Sequence, residues 1–143
     1  MFERYTENAR RTIFFARYEA GLYGSPHIET QHLLAGLLRA DRLLARSLLQ
    51  RPGAGESIRK ELRTKGTGRE RIPNTVEIPL SGECRYVLRF AAKAAAKLRH
   101  HHVDNIHLLL GILRQEACLA ARILRDHGVQ NDALKKIIEK HID

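Results

Sequence analysis

A chain of 143 residues that is 43% hydrophobic and holds only four prolines has enough apolar side chain for one compact domain and too little proline for a disordered one. No uncharged apolar stretch approaches the roughly 18 residues needed to span a bilayer, and the N-terminus MFERYTENAR lacks the basic-then-apolar order of a secretory leader. Two cysteines, Cys84 and Cys118, with no CxxC, make neither a disulfide framework nor a zinc site, so a reduced cytoplasmic protein is expected.

Apolar residues at three- and four-residue spacing predict helices in chain order. The first carries Ala9, Ile13, Ala16, Ala20 and Tyr23, with Thr6 placed to cap its free N–H groups. A second starts at Thr30 and buries the leucine pair Leu33–Leu34. A third carries Leu44, Ala45, Leu48 and Leu49, with Gly53 as its C-terminal break, and a fourth carries Ile58 and Leu62. The stretch GTGRERIPNTVEIPL, rich in Gly, Pro and charge, reads as a linker over about 66–80. Then the order repeats. Ser81 caps a helix with Cys84, Leu88, Ala91, Ala95 and Leu98, and Asn105 opens one over Leu108–Leu109. Leu119, Ala120, Ile123 and Leu124 form the next, broken at Gly128, before Leu134, Ile137 and Ile138.

The repetition is literal. HIETQHLLAGLL at 27–38 returns as HVDNIHLLLGIL at 102–113, and a shift of 75 positions aligns residues 6–62 with 81–137 without a gap. Arg10, Phe15, Ala16, Ala20, His27, His32, Leu33, Leu34, Gly36, Leu38 and Arg39 all meet identical partners. A repeat of this length means one helical unit built twice, neither copy able to bury its apolar face alone. The expected fold is therefore all-α, with eight helices in two pseudo-symmetric four-helix repeats (about 1–65 and 81–143) packed as a single domain over 1–143.

Motifs for catalysis are absent: there is no Gly-Lys-Ser/Thr phosphate loop, no HExxH and no GxSxG. The triplet His100–His102 reads as a polar loop rather than a metal site, since only His102 has a His partner in the first copy. His32 and His107 stand in the first turn of a short helix, before buried leucines, and read as structural. Cys84 and Cys118 align with Ala9 and Leu43 and read as core fillers, so no catalytic residue, metal or cofactor is expected. The net charge of +9 admits a second class of function, a basic helical protein associated with nucleic acid. Its best segment, RKELRTKGTGRER at 59–71, has no aromatic for base stacking and is diluted by Glu, and Lys and Arg alternate with acids throughout.

At MFERYTENAR, HIETQHLLAGLL, IPLS and HVDNIHLLLGIL the sequence resembles the N-terminal domain of the Clp (Hsp100) unfoldases, closest to the ClpC type, over essentially the whole chain. That resemblance implies two four-helix repeats without catalytic activity, which receive protein substrates or adaptor proteins for a Clp ATPase module acting in cis or in trans. It implies no membrane partner. The family's Gly-Thr-Glu-His motif reads here Glu29-Thr30-Gln31-His32 and Asp104-Asn105-Ile106-His107. Some ClpC-type domains bind phosphoarginine through the two motif Glu residues. Gln31 and Ile106 stand in those places, so that role is expected to be weak, and restoring Glu at both is expected to strengthen it. Glu29 and Asp104 form a possible acidic pair two positions upstream, or simply favour the helix N-termini. The family's apolar surface between repeats maps onto Phe2 and Leu80.

The copies also differ in a way the resemblance does not cover. On the first helix of the second repeat, Arg85, Arg89, Lys93 and Lys97 step by four into a basic ridge. The first copy has Arg10, Phe14, Tyr18 and Leu22 there. Phe14, Tyr18 and Leu22 form a possible docking patch, which requires Phe14 and Tyr18 to be exposed.

Overall fold

The computed structural model describes residues 2–66 and 69–140; Thr67 and Gly68 of the linker and the last three residues of the second repeat lie outside the described residues. Among the described residues there are eight helices: α1 (Glu7–Leu22), α2 (Thr30–Ala40), α3 (Arg42–Leu48), α4 (Ala54–Lys65), α5 (Gly82–Lys97), α6 (Asn105–Arg114), α7 (Leu119–Asp126) and α8 (Asn131–Glu139). The caps fall where the sequence puts them. The Thr6 hydroxyl accepts from the Ala9 N–H and the Ser81 hydroxyl from the Cys84 N–H, both at 3.1 Å, each relieving one unpaired donor of a helix N-terminus. One break is corrected. Gly53 does not end α3, whose C-cap is Leu49; with φ of 77° it caps the N-terminus of α4, in left-handed backbone that suits a residue without Cβ.

The two copies cross-link through their main chains. Val103 donates to the Arg4 carbonyl (2.9 Å) and Thr6 donates to the Val103 carbonyl (3.0 Å). Ile28 donates to the Pro79 carbonyl (2.8 Å) and Ser81 to the Ile28 carbonyl (3.0 Å). Every residue of the first set lies 75 positions from its counterpart in the second. The segment leading into the first helix of each repeat thus pairs with the motif loop of the other repeat. The result is a pseudo-two-fold seam of two isolated parallel bridges, Tyr5 with Val103 and Ile28 with Leu80.

Around that seam α2 and α6 are the buried centre. Leu33, Leu34, Leu108 and Leu109 are fully buried, as expected, together with Leu37 and Ile112. The central glycine of each motif sets how closely the helices approach. A Cβ on Gly36 would sit 2.5 Å from the Thr12 carbonyl oxygen, and one on Gly111 would sit 2.5 Å from that of Val87. Thr12 and Val87 are themselves symmetry mates, so α1 on α2 and α5 on α6 are one packing made twice. Cys84 and Cys118 fill the core, and burial pushes the Cys84 thiol up to about 12. The linker is less loose than its composition suggests. Arg17 on α1 donates to the carbonyls of Pro73 and Val76, and the Ile72 N–H donates to the Gly21 carbonyl at 2.9 Å.

Candidate functional site

The repeated motif builds a corner at the start of α2 and again at the start of α6. In both, the third helical residue is a buried histidine that reaches back to the helix entry. The Glu29 N–H donates to His32 Nδ1 at 2.9 Å, and the Asp104 N–H donates to His107 Nδ1 at 2.8 Å. A backbone donor on Nδ1 leaves that nitrogen without a proton, so each ring is neutral and carries its hydrogen on Nε2. Burial draws the His32 pKa down to about 4, which keeps the ring in this state at neutral pH. The reading of both residues as structural histidines therefore has a specific chemistry: they stand in for the acidic arm of a capping box.

The corners then diverge. Beside His32 the Tyr23 ring lies stacked at 6.4 Å, and a cleft of about 290 Å³ opens between α1, α2 and α4, lined among others by Glu19, Glu29, Gln31, Lys65 and Arg69. Glu19 sits partly buried with Arg39 at 3.6 Å; burial raises its pKa against the pull of Arg39 and Arg59. Beside His107 the corresponding space holds another imidazole. His107 Nε2 donates to His100 Nδ1 at 2.8 Å, with the rings 5.0 Å apart. His100 is therefore not a solvent-facing loop residue, although His101 and His102 are exposed. The described residues contain no cluster of three or more His, Cys, Asp or Glu side chains able to hold a metal ion.

The residues singled out by the family motif separate in the same way. Gln31 lines the open cleft, half-buried. Ile106 is 4% exposed and packs into the core, so its position offers no surface for a ligand. A Glu placed there would be buried, so restoring carboxylates at both motif positions, expected from sequence to strengthen phosphoarginine binding, is available at Gln31 alone. Glu29 and Asp104 are both partly buried N-caps of their helices. Asp104 accepts from the Asn105 N–H and from the Thr6 hydroxyl of the other repeat, both at 2.8 Å.

A buried polar link that sequence reasoning missed joins the copies. The Thr12 hydroxyl donates to Asn105 Oδ1 at 2.8 Å, and Asn105 Nδ2 donates to Asp41 Oδ2 at 3.1 Å. Thr12 and Asn105 are both fully buried, and Asp41 also caps α3 by accepting from the Leu44 N–H. The available signal was a threonine inside the alanine stripe Ala9–Ala16, where α5 has Val87.

Phe2 and Leu80 lie half-buried along the seam. Phe2 packs edge-on to Tyr5 with centroids 5.0 Å apart. The carbonyls of both residues are held by symmetry-related arginines, Arg10 on Phe2 at 3.2 Å and Arg85 on Leu80 at 2.8 Å. On the outer face of α1, Phe14 is 69% and Leu22 38% exposed. Tyr18 between them is half-buried under two guanidinium groups, Arg39 at 5.1 Å and Arg71 at 5.6 Å from its ring centroid, so the exposure that the docking patch requires holds for Phe14 and not for Tyr18. The four basic residues of the α5 ridge are all exposed.

Residues 4–98 and 79–143 match the family described as the Clp repeat (R) N-terminal domain, so both copies of the helical unit are accounted for. The chain belongs to the Clp repeat N-terminal domain family. This Clp repeat domain is 34% identical over 142 residues to the negative regulator of genetic competence ClpC/MecB of Bacillus subtilis (strain 168), covering 97% of the chain and 17% of that protein. It is also 34% identical over 128 residues to the chloroplastic chaperone protein ClpC1 of Arabidopsis thaliana, covering 90% of the chain and 14% of that protein. The chain thus spans about a sixth of the length of these relatives. Two solved structures share its fold. The N-terminal domain of the caseinolytic protease associated chaperone ClpD from Arabidopsis thaliana superposes with a TM-score of 0.75 at 24% identity, covering 98% of each chain. The Hsp104 N-terminal domain from Candida albicans gives 0.76 at 23% identity, covering 95% of this chain and 89% of that one. No described helix of the Clp repeat domain is long and apolar enough to cross a membrane.

Proposed function

We propose that this Clp repeat domain is a non-catalytic protein-binding module that recruits protein substrates or adaptor proteins to a Clp-type ATP-dependent unfoldase. One contrast carries the reading: the groups that could do chemistry are buried and spent on structure, while apolar groups are left on the surface. His32 and His107 are neutral helix caps, and Cys84 is a buried thiol with its pKa pushed up to about 12. Phe14 and Leu22 meanwhile face solvent, as apolar residues do at docking surfaces. The kinship with ClpC-type proteins supplies the ATPase context.

Phosphoarginine is a poor fit for the motif corners. Gln31 offers a neutral amide where a carboxylate would pair a guanidinium, and Ile106 is in the core. The exposed ridge Arg85–Arg89–Lys93–Lys97 favours nucleic acid as the second reading. Part of it is committed, since Arg85 holds the Leu80 carbonyl.

Retention assays with purified partners at low and high salt separate the two. Retention of a ClpC-type ATPase or of unfolded proteins that survives high salt is the expected result. Binding to DNA that collapses steeply with salt, with no retention of either protein class, overturns the proposal.

A further inference from the structure

The two long helices α1 and α5 occupy equivalent places, yet their outer faces are chemically opposite. The frame is common to both. Arg39 stacks on Phe15 at 4.8 Å, and its counterpart Arg114 stacks on Phe90 at 5.2 Å. What differs lies next to that pair. Phe14, Tyr18 and Leu22 replace Arg89, Lys93 and Lys97. The fold therefore does not require apolar groups at these positions, because the second copy is built with charges there. The three residues step by one helical turn into a stripe of about 12 Å. The linker lies along α1 as well: Arg17 holds the Val76 carbonyl.

The stripe is bordered by positive charge. Arg71 is exposed with its guanidinium 5.6 Å from the Tyr18 ring centroid, Arg11 is exposed one turn before Phe14 and Phe15, and Arg39, 5.1 Å from the Tyr18 centroid, is already paired with Glu19. We infer that this face docks an acidic amphipathic helix of a partner protein, with apolar side chains on the exposed Phe14 and Leu22 and carboxylates on the flanking Arg11 and Arg71. The inference deepens the recruitment function proposed above and rests on it. A second copy of this chain is excluded as the occupant by charge, since each copy carries +9 and the patch would bring its arginines against one another. A nucleic acid fits less well. Two guanidinium groups already lie over the half-buried Tyr18 ring, and Leu22 offers nothing to a base.

The test uses three labelled probes: a synthetic helix with Leu or Phe at every turn and Glu between them, the same helix with Lys for Glu, and a single-stranded oligonucleotide. Anisotropy titrations should show saturable binding of the acidic helix, weakened by roughly tenfold or more in the Lys version. The variant Phe14→Arg with Leu22→Lys copies the surface of the second repeat, which folds with those residues. It should abolish binding of the acidic helix with little change in melting temperature, and Arg71→Glu alone should weaken it. The inference is overturned if the acidic helix fails to bind, if the Lys helix or the oligonucleotide binds as well or better, or if the surface-copying variant binds unchanged. Continued retention of a ClpC-type ATPase or unfolded proteins in the salt assay would then leave recruitment standing and remove only this surface. Loss of both would remove the reading on which it rests.

Discussion

The corner at Glu29–His32 and the corner at Asp104–His107 share a backbone, a capping histidine and a leucine pair, yet one faces an open cleft and the other is plugged. The residues that differ sit just outside the capping contact. Tyr23 stacks beside His32 and leaves room, whereas His100 bonds His107 directly, and Gln31 lines the cleft where Ile106 has entered the core. Duplication therefore preserved what holds the corner together and released what surrounds it. The shared part is fixed by hydrogen-bond bookkeeping at a helix N-terminus, which tolerates no loss without an orphaned donor. The surroundings carry no such constraint and are free to become a surface in one copy and core in the other.

The sharpest way to break this contrast is to place a carboxylate at the same point of each corner. Ile106→Glu buries an uncompensated charge and should cost about 4 kcal/mol or more, enough to unfold a marginal domain. Gln31→Glu should change stability by less than about 0.5 kcal/mol. Urea denaturation of the two variants measures both, and equal costs would show that the corners are equivalent after all.

A second pair tests what the copies share. Gly36→Ala gains roughly 1 kcal/mol in helix propensity but drives a Cβ to 2.5 Å from the Thr12 carbonyl and 2.7 Å from the Ala16 nitrogen. The net should be a loss of about 2 kcal/mol or more. Gly111→Ala should lose a comparable amount, because its Cβ would meet the Val87 carbonyl oxygen at 2.5 Å and the buried, β-branched Val87 side chain at 3.0 Å. A gain in melting temperature for either variant would mean that the helices can separate.

The neutral capping histidine gives the first corner a pH dependence. The His32 pKa is about 4 in the folded chain against an ordinary 6.5, so between these values the unfolded chain binds the extra proton. The His32 contribution to stability is therefore fully present above pH 6.5 and is lost as pH falls, by about 2 kcal/mol at pH 5. His32→Asn offers an oxygen in place of Nδ1 and does not titrate. Denaturation midpoints at pH 7.5 and 5.0 should therefore fall less in the variant than in the parent, and an identical fall would place the pH dependence elsewhere.

The smallest effect concerns the polar link present on one side of the seam only. Thr12→Val reproduces the α5 residue Val87, keeps the shape and removes the donor to Asn105 Oδ1. It should cost about 1–2 kcal/mol, since Asn105 is fully buried and that oxygen loses its partner. A neutral result would mean that the Thr12 hydroxyl adds nothing to the joining of the repeats.

Sequence alone determined the eight helices, the doubled unit, the family, the Thr6 and Ser81 caps and the burial of Leu33, Leu34, Leu108 and Leu109. These depend on local periodicity and on chemistry within one turn of a helix, and a repeat reads out each of them twice. Gly53 was misplaced because a glycine in left-handed backbone serves equally between two helices as the end of one or the start of the next. Only the tertiary structure decided that the entry segments cross to the opposite repeat, that Thr12, Asn105 and Asp41 form one link, that His100 fills the second corner, and that Tyr18 is shared between Arg39 and Arg71. Each of these joins residues far apart in the chain, and their partners are set by how two copies of one unit pack, which no local pattern records.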